Sequence, residues 1–196
     1  MEIKQIFVVS MLVILGLAFL FIVIHTNFKY GKKQEFHRSN KIHPTAIIYP
    51  NVKLGFNNVI GAYSVIGSNG EMRGVDQDDF RGQIIIGDDN VISEHVTIQR
   101  PFEAGKYTMI GDRNIIMAHS HVGHDVEIGD DCEICTGAIL GGYAKICHGV
   151  KIKLGVTIRN RKKIGELSLV GLGSAVVTDV EAGTVVYGNP AKNHRK

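Results

Sequence analysis

The chain has 196 residues, a formal net charge of +3, 23 glycines, four prolines and no tryptophan. This length suffices for one domain with a real core. The charge excess is too small to point to nucleic acid, and no Ser/Pro or Gln/Asn tract points to disorder.

Ile6 to Ile24 reads IFVVSMLVILGLAFLFIVI, uncharged and interrupted only by Ser10 and Gly16. As a helix these 19 residues would span roughly 28 Å at about 1.5 Å each, close to the hydrocarbon thickness of a bilayer. A cleaved signal peptide would carry a shorter apolar region and an A-x-A-like site, which FIVIHTNFKY lacks. The expectation is therefore an uncleaved transmembrane α-helix at residues 6–24, within an anchor over 1–28. Lys4 precedes the run, offset by Glu2. Lys29, Lys32, Lys33, Arg38 and Lys41 follow it in or beside a basic linker over 29–41. The positive-inside rule then predicts a single-pass membrane protein with its C-terminal domain on the cytoplasmic side. The odd number of cysteines, Cys132, Cys135 and Cys147, agrees with a reducing compartment.

From 42 to 190 the chain is organised by a period of six. Stepping by six from Ile110 meets Ile116, Val122, Ile128, Ile134, Leu140, Ile146, Ile152, Ile158, Ile164, Val170 and Val176. Four residues after each aliphatic residue comes a small or medium-sized one, with Lys162 the exception. The pattern opens at Ile42, Ile48, Leu54, Ile60 and Ile66 and resumes at Ile86, Ile92 and Ile98. An α-helix cannot use this period, because its faces recur at 3.6 residues. Hexads read instead as an all-β fold, a parallel β-helix in which three hexads close one triangular coil and coils stack at about 4.8 Å. The aliphatic and the small residues point inward. Glycines that follow the aliphatic position, such as Gly111, Gly123, Gly129 and Gly141, are expected to supply turn backbone. Two stretches leave the pattern: Ser68–Gln83 and Gln99–Thr108. Insertions in a solenoid gather on one face, often the binding face. Residues 191–196 form a basic tail.

Residues 115–130 read IIMAHSHVGHDVEIGD, placing His119, His121 and His124 within six residues, with Asp125 next. Such a cluster can hold a metal, move a proton or decorate a surface. The C-x-x-C of Cys132 and Cys135 falls where the repeat uses cysteine as a small core filler.

IHPTAIIYPNVKLGFNNVIGAYSVIG at 42–67 resembles the start of hexapeptide acyltransferases. GDDNVISEHVTIQR at 87–100 and GDRNIIMAHSHVGHDVEIGD at 111–130 are most similar to UDP-N-acetylglucosamine O-acyltransferases, the first enzymes of lipid A assembly. The resemblance runs from about 42 to 190. It implies a left-handed coil, against the usual crossover rule, and a homotrimer with its sites between subunits, since a straight solenoid offers no concave pocket of its own. It implies His124 as general base, Asp125 as the residue orienting the imidazole, and the Gly142 N–H as oxyanion donor. His121, Gln77, Asp78 and Tyr143 would contact the acceptor. Histidine, with a reference pKa near 6.5, suits removal of a proton from a sugar hydroxyl at neutral pH. A fixed N–H can stabilise the charge that builds on the attacked thioester. No tightly bound cofactor or metal is implied. Acyl-CoA or an acyl carrier protein would be co-substrate and partner, with a sugar or glycan precursor as acceptor.

The departures are informative. Tyr143 stands where the family has His, and Arg159-Asn160 where it has His-Gln. The family's C-terminal helical domain has no match here. TVVYGNPAKNHRK is instead similar to the G-N-P-A-K tail of CoA-dependent acetyltransferases, which assigns Asn160, Asn189, Pro190 and Lys192 to the acyl donor. Leu172 would close the acyl groove and favour a short acyl group. The run Arg159–Lys163 can attract CoA phosphates or an acidic carrier protein, or be a solvated corner. Two other readings compete. Gamma-class carbonic anhydrases share the fold and an H-x4-H zinc spacing that His119 and His124 reproduce, with Gln99 where the third imidazole would stand. A non-catalytic membrane-anchored scaffold would need no His-Asp pair.

Overall fold

The computed structural model describes residues 36–70 and 82–195. The expected transmembrane segment, most of the basic linker and the Gln77-Asp78 pair lie outside the described residues. Among those described, no helix is long and apolar enough to cross a membrane.

Short strands form three parallel sheets, the faces of a prism. Face A stacks Lys41–Ile42, Val59–Ile60, Val91–Ile92, Ile115–Ile116, Glu133–Ile134, Lys151–Ile152, Leu169–Val170 and Val185–Tyr187. Face B stacks Ile47–Ile48, Val65–Ser68, Thr97–Gln99, His121–Val122, Ile139–Leu140, Thr157–Ile158 and Ala175–Val176. Face C stacks Val52–Leu54, Gln83–Ile86, Tyr107–Ile110, Glu127–Ile128, Lys145–Ile146 and Lys163–Ile164. The chain visits A, B and C in turn, so each coil adds one rung to every face. The fold is all-β, a parallel β-helix, as the period of six predicts.

The inward positions behave as expected. Ile116, Val122, Ile134, Leu140, Ile152, Ile158, Ile164 and Val170 are at most 1% exposed. Burying one such side chain contributes about 1.5–3 kcal/mol. The small position four residues on is buried too. Where it carries a hydroxyl, that hydroxyl donates to a main-chain carbonyl: Ser120 to Cys135 at 3.0 Å and Ser168 to Glu181 at 2.8 Å.

The corners differ from expectation in one respect. The left-handed backbone lies not at the residue after the aliphatic one but two further on. Asn57, Tyr63, Asp89, His95, Arg113, His119, Asp125, Asp131, Tyr143, Arg161 and Leu167 all have φ between 57° and 63°. Gly137, Gly149, Gly155 and Gly173 hold the same position in other rungs. The glycines directly after the aliphatic residue meet a different constraint, close approach between coils. A Cβ on Gly123 would lie 2.8 Å from both the Gly142 nitrogen and the Leu140 oxygen.

The corner from face C to face A carries a buried polar ladder. Asn40, Asn58, Asn90 and Asn114 each accept, on the side-chain oxygen, the backbone N–H of the residue one rung on. The last of these N–H groups belongs to Cys132, whose thiol donates to the Cys147 carbonyl at 3.0 Å. Burial pushes this thiol up to about 11. A neutral, inward thiol is the core filler the repeat predicts, not a redox or zinc centre. The expected 191–196 tail is more ordered than that description: Lys192–Arg195 turns back and pairs antiparallel with Val185–Tyr187.

Asn90 is the most connected rung of the ladder. Its amide bonds Asn58 and the Gly111 carbonyl, and its oxygen accepts Asn114 N–H at 2.9 Å. Asn90→Ala leaves buried donors and acceptors unpaired, and is expected to destabilise by about 2–3 kcal/mol. A urea midpoint equal to that of the unaltered protein would contradict the ladder's role.

Candidate active site

Five consecutive rungs build one corner, where face B turns to face C. Along face B the register advances by 18 residues from Ile47 to Val65, by 32 from Val65 to Thr97, by 24 from Thr97 to His121, and by 18 again to Ile139. The two long steps are the two insertions. Both leave face B and return to face C, at the same corner, in adjacent coils. The next rung at that corner is Gly123-His124-Asp125. Above it lie Gly141-Gly142-Tyr143 and then Arg159-Asn160-Arg161. The expectation that the insertions share one face holds, and that face carries His124.

The insertions are joined at their necks. Arg100 N–H donates to Ser68 O at 2.9 Å, and a Cβ on Gly82 would collide with Pro101. Phe102 then lays its ring against His124, with centroids 4.2 Å apart. Gly70 packs on the same two rings, since a Cβ there would lie 2.5 Å from Phe102 and 3.3 Å from His124.

His124 Nδ1 lies 2.9 Å from Asp125 Oδ2. An ionised carboxylate only accepts, so Nδ1 carries the proton and Nε2 is the acceptor of the neutral ring. The left-handed φ of Asp125, 58°, turns its carboxylate back onto the preceding residue. The two side chains are 18% and 9% exposed, so the pair is covered but reachable. Tyr143 meets the imidazole edge-on at 5.0 Å, and the Arg161 guanidinium stacks over Tyr143 at 4.1 Å.

A cleft of about 420 Å³ opens beside Nε2. Its walls include Phe102, His121, His124, Ile139, Gly142 and Asn160. His121 is fixed through Nδ1 by the Thr97 hydroxyl at 2.7 Å. The expectation of a solenoid without its own concavity is thus corrected: the insertions and the glycine rung make one within a single chain. A second cleft, about 500 Å³, lies on the other side of the pair, lined by Lys106, Asp125, Tyr143 and Arg161 among others.

Of the residues expected at the site, His121, His124, Asp125, Gly142, Tyr143 and Asn160 come together. Leu172 does not. It is 75% exposed and sits between Leu169–Val170 on face A and Ala175–Val176 on face B, a different corner. Asn189, Pro190 and Lys192 lie at the last turn of the prism, Pro190 and Lys192 lining a separate cleft of about 520 Å³ with Val176 and Glu181. Within one chain these four do not reach His124. Phe102, Gly70 and Thr108 are neighbours of the pair not singled out from the sequence. Phe102 was signalled only by its place in an insertion.

The zinc pairing is also corrected. His119 belongs to the corner from face A to face B, where its ring stacks on His95 at 4.9 Å and 3°, and His95 stacks on Tyr63. His119 and His124 therefore project from different corners and share no centre. Among the described residues no three His, Cys, Asp or Glu side chains converge as a metal site.

Gly142 is the residue the geometry tolerates least in any other form. A Cβ there would stand 2.5 Å from His124 Nε2. Gly142→Ala is expected to expel the imidazole from its seat while the coil stays folded. Imidazole NMR signals of His124 that keep their original shifts in this variant would contradict the assignment.

The family model for bacterial transferase hexapeptides (six repeats) matches residues 107–142, the span from Thr108 through Gly142. A curated acyl-(acyl-carrier-protein)–UDP-N-acetylglucosamine O-acyltransferase from Gloeothece citriformis is 33% identical over 140 residues, 71% of this chain and 50% of the relative. The chain thus spans about half the length of that relative. Among solved structures, the UDP-N-acetylglucosamine O-acyltransferase of Moraxella catarrhalis superposes with a TM-score of 0.62 at 30% identity, covering 81% of this chain and 70% of that one. The Arabidopsis UDP-N-acetylglucosamine acyltransferase gives 0.68 at 22% identity, over 82% and 74%, a likeness of fold alone. With its prism of hexads and a His-Asp pair inside the matched span, the chain belongs to the hexapeptide-repeat acyltransferase superfamily.

Proposed function

We propose that the protein transfers an acyl group from a CoA or acyl-carrier thioester to a hydroxyl or amine of a sugar or cell-envelope glycan precursor. One observation carries the reading: a histidine whose Nδ1 is held by Asp125 turns the opposite edge of its ring to an open cleft. Nε2 takes the proton from the acceptor as its oxygen or nitrogen attacks the thioester carbon. Charge moves to the carbonyl oxygen, where the Gly142 N–H is the proposed donor. The C–S bond then breaks, and the imidazolium returns the proton to the leaving thiolate. An ester or amide and a free thiol result, without a covalent enzyme intermediate.

The donor is tested by thiol release from acetyl-CoA, longer acyl-CoAs and acyl carrier protein. His124→Ala is expected to lower turnover by about 10²–10⁴-fold, the range for loss of a general base. Asp125→Asn should cost less, and His119→Ala little. Thiol release at the original rate in His124→Ala would remove His124 from the mechanism and leave the scaffold reading standing.

A second reading, a UDP-N-acetylglucosamine O-acyltransferase of lipopolysaccharide assembly, is favoured by the names of the curated relatives. Leu172 favours the short-chain reading instead. Its distance from His124 within one chain makes a groove-closing role depend on a neighbouring copy. That supports a closed C3 homotrimer, in which one copy's A-to-B corner faces the next copy's B-to-C corner. The proposal includes a left-handed coil, and a transmembrane helix at residues 6–24 that holds the domain at the cytoplasmic side of a membrane. Deleting residues 1–28 is expected to move the protein from the membrane to the soluble fraction as a trimer with activity retained. A protease added outside intact cells should leave the C-terminal domain uncut; its removal would overturn the orientation.

A further inference from the structure

We propose that Thr108 is a positioning residue for the His124–Asp125 pair, acting through the backbone of Asp125. The inference deepens the acyltransfer reading and rests on it.

The argument begins with how left-handed corners are held. Through the middle of the prism, the N–H of each left-handed residue donates to a main-chain carbonyl one rung below: Asp131 to Asp112, Gly137 to Ala118, Tyr143 to His124, Arg161 to Gly142 and Leu167 to His148, all at 2.9–3.0 Å. At Asp125 the rung below is where the second insertion leaves the coil, and the backbone partner is missing. The Thr108 hydroxyl takes its place, accepting Asp125 N–H at 2.9 Å. Hydroxyls serve in the same way in the first coil, where Ser39 and Thr45 accept from Asn57 and Tyr63.

The same hydroxyl donates to the Gln99 carbonyl at 2.9 Å. Gln99 ends the strand before the insertion and Thr108 lies in the strand after it. One oxygen therefore closes the neck of the loop that carries Phe102 and anchors the turn that carries Asp125. Both touch the imidazole, Phe102 by its ring and Asp125 by its carboxylate. Thr108 is itself 0% exposed and reaches no cleft, so its influence on the reaction passes through these two neighbours.

Packing alone does not require a hydroxyl here. The rungs above put Val126 and Ala144 at the equivalent inward position, both fully buried. Valine matches threonine in shape, so Thr108→Val removes the two hydrogen bonds and keeps the volume.

The test uses the full chain and thiol release, with four variants: Thr108→Val, Thr108→Ser, Asp125→Asn and the Thr108→Val/Asp125→Asn double variant. Thr108→Val is expected to lower kcat by about 10–100-fold, the scale of a small misplacement of a reacting group, with KM within about threefold, since the cleft walls are untouched. Thr108→Ser should restore kcat to within about threefold. In the Asp125→Asn background, Thr108→Val should cost much less, because a residue acting through Asp125 is non-additive with it. Equal losses in both backgrounds, a serine variant as slow as the valine one, or an unchanged kcat in Thr108→Val would each overturn the proposal. So would a rise in KM at constant kcat. If Thr108→Val melts early, the serine comparison still decides between hydroxyl and shape. His124→Ala run alongside separates the two ideas: if it is slow while Thr108→Val is normal, the base stands and the positioning role falls.

Discussion

In-register parallel stacking is the constraint from which the rest follows. Each backbone N–H of a rung must find a carbonyl in the next, so equivalent residues superpose every 18 residues wherever nothing is inserted. A corner in one coil lies over the same corner in the next. This turns a linear repeat into a way of assembling a site. Gly142 and Asn160 follow His124 by one and two such steps and join it in one cleft. An insertion adds residues without changing the register around it, so two insertions leaving by the same corner are stacked directly beneath that rung.

The corner backbone supplies the chemistry's orientation. A turn this tight needs a left-handed residue, a conformation that Asp, Asn and His adopt more readily than most. When that residue follows a histidine and is an aspartate, its carboxylate folds back onto Nδ1, and the opposite ring nitrogen is the one left for a substrate. The pair then stands as a wall between two clefts, with His124 on one side and Asp125 on the other. Tyr143 and Arg161 occupy the left-handed position in the next two rungs and form a stack leading away from the imidazole. The same rule that makes the solenoid thus makes the pair, without a loop dedicated to it.

Much of this was legible from spacing. The period of six named the architecture and the inward residues, because a buried position in a prism accepts only a narrow range of sizes. The residue match placed His124, Asp125 and Gly142 together. Leu172 shows where the reading was incomplete. It lies 48 residues beyond His124, not a multiple of 18, so a different corner was already implied. Glycine was assigned the wrong constraint, since a sequence does not distinguish a residue needed for its φ from one needed for its missing Cβ. Phe102 and Thr108 were unreadable for another reason. They belong to a stretch outside the period, where position is set by three-dimensional closure of a loop neck rather than by repeat number.

The cleft has an asymmetry that bears on what it accepts. Below His124 the corner is filled, by Phe102 and the neck residues of both insertions. Above it the corner is bare, because Gly141 and Gly142 carry no side chain and Asn160 is exposed. A ligand seated at Nε2 is therefore blocked toward the N-terminal coils and free to extend along the prism over Gly142 and Asn160. The apolar wall at Ile139 and the polar one at Asn160 diverge from that point. On the proposed reaction, the thioester's carbonyl has to sit at Gly142, close to the ring, and its two substituents must take the two exits. The chain end that runs up the B-to-C corner then meets the guanidinium of Arg161 one rung on, and the other runs across face B toward the corner that carries Leu172.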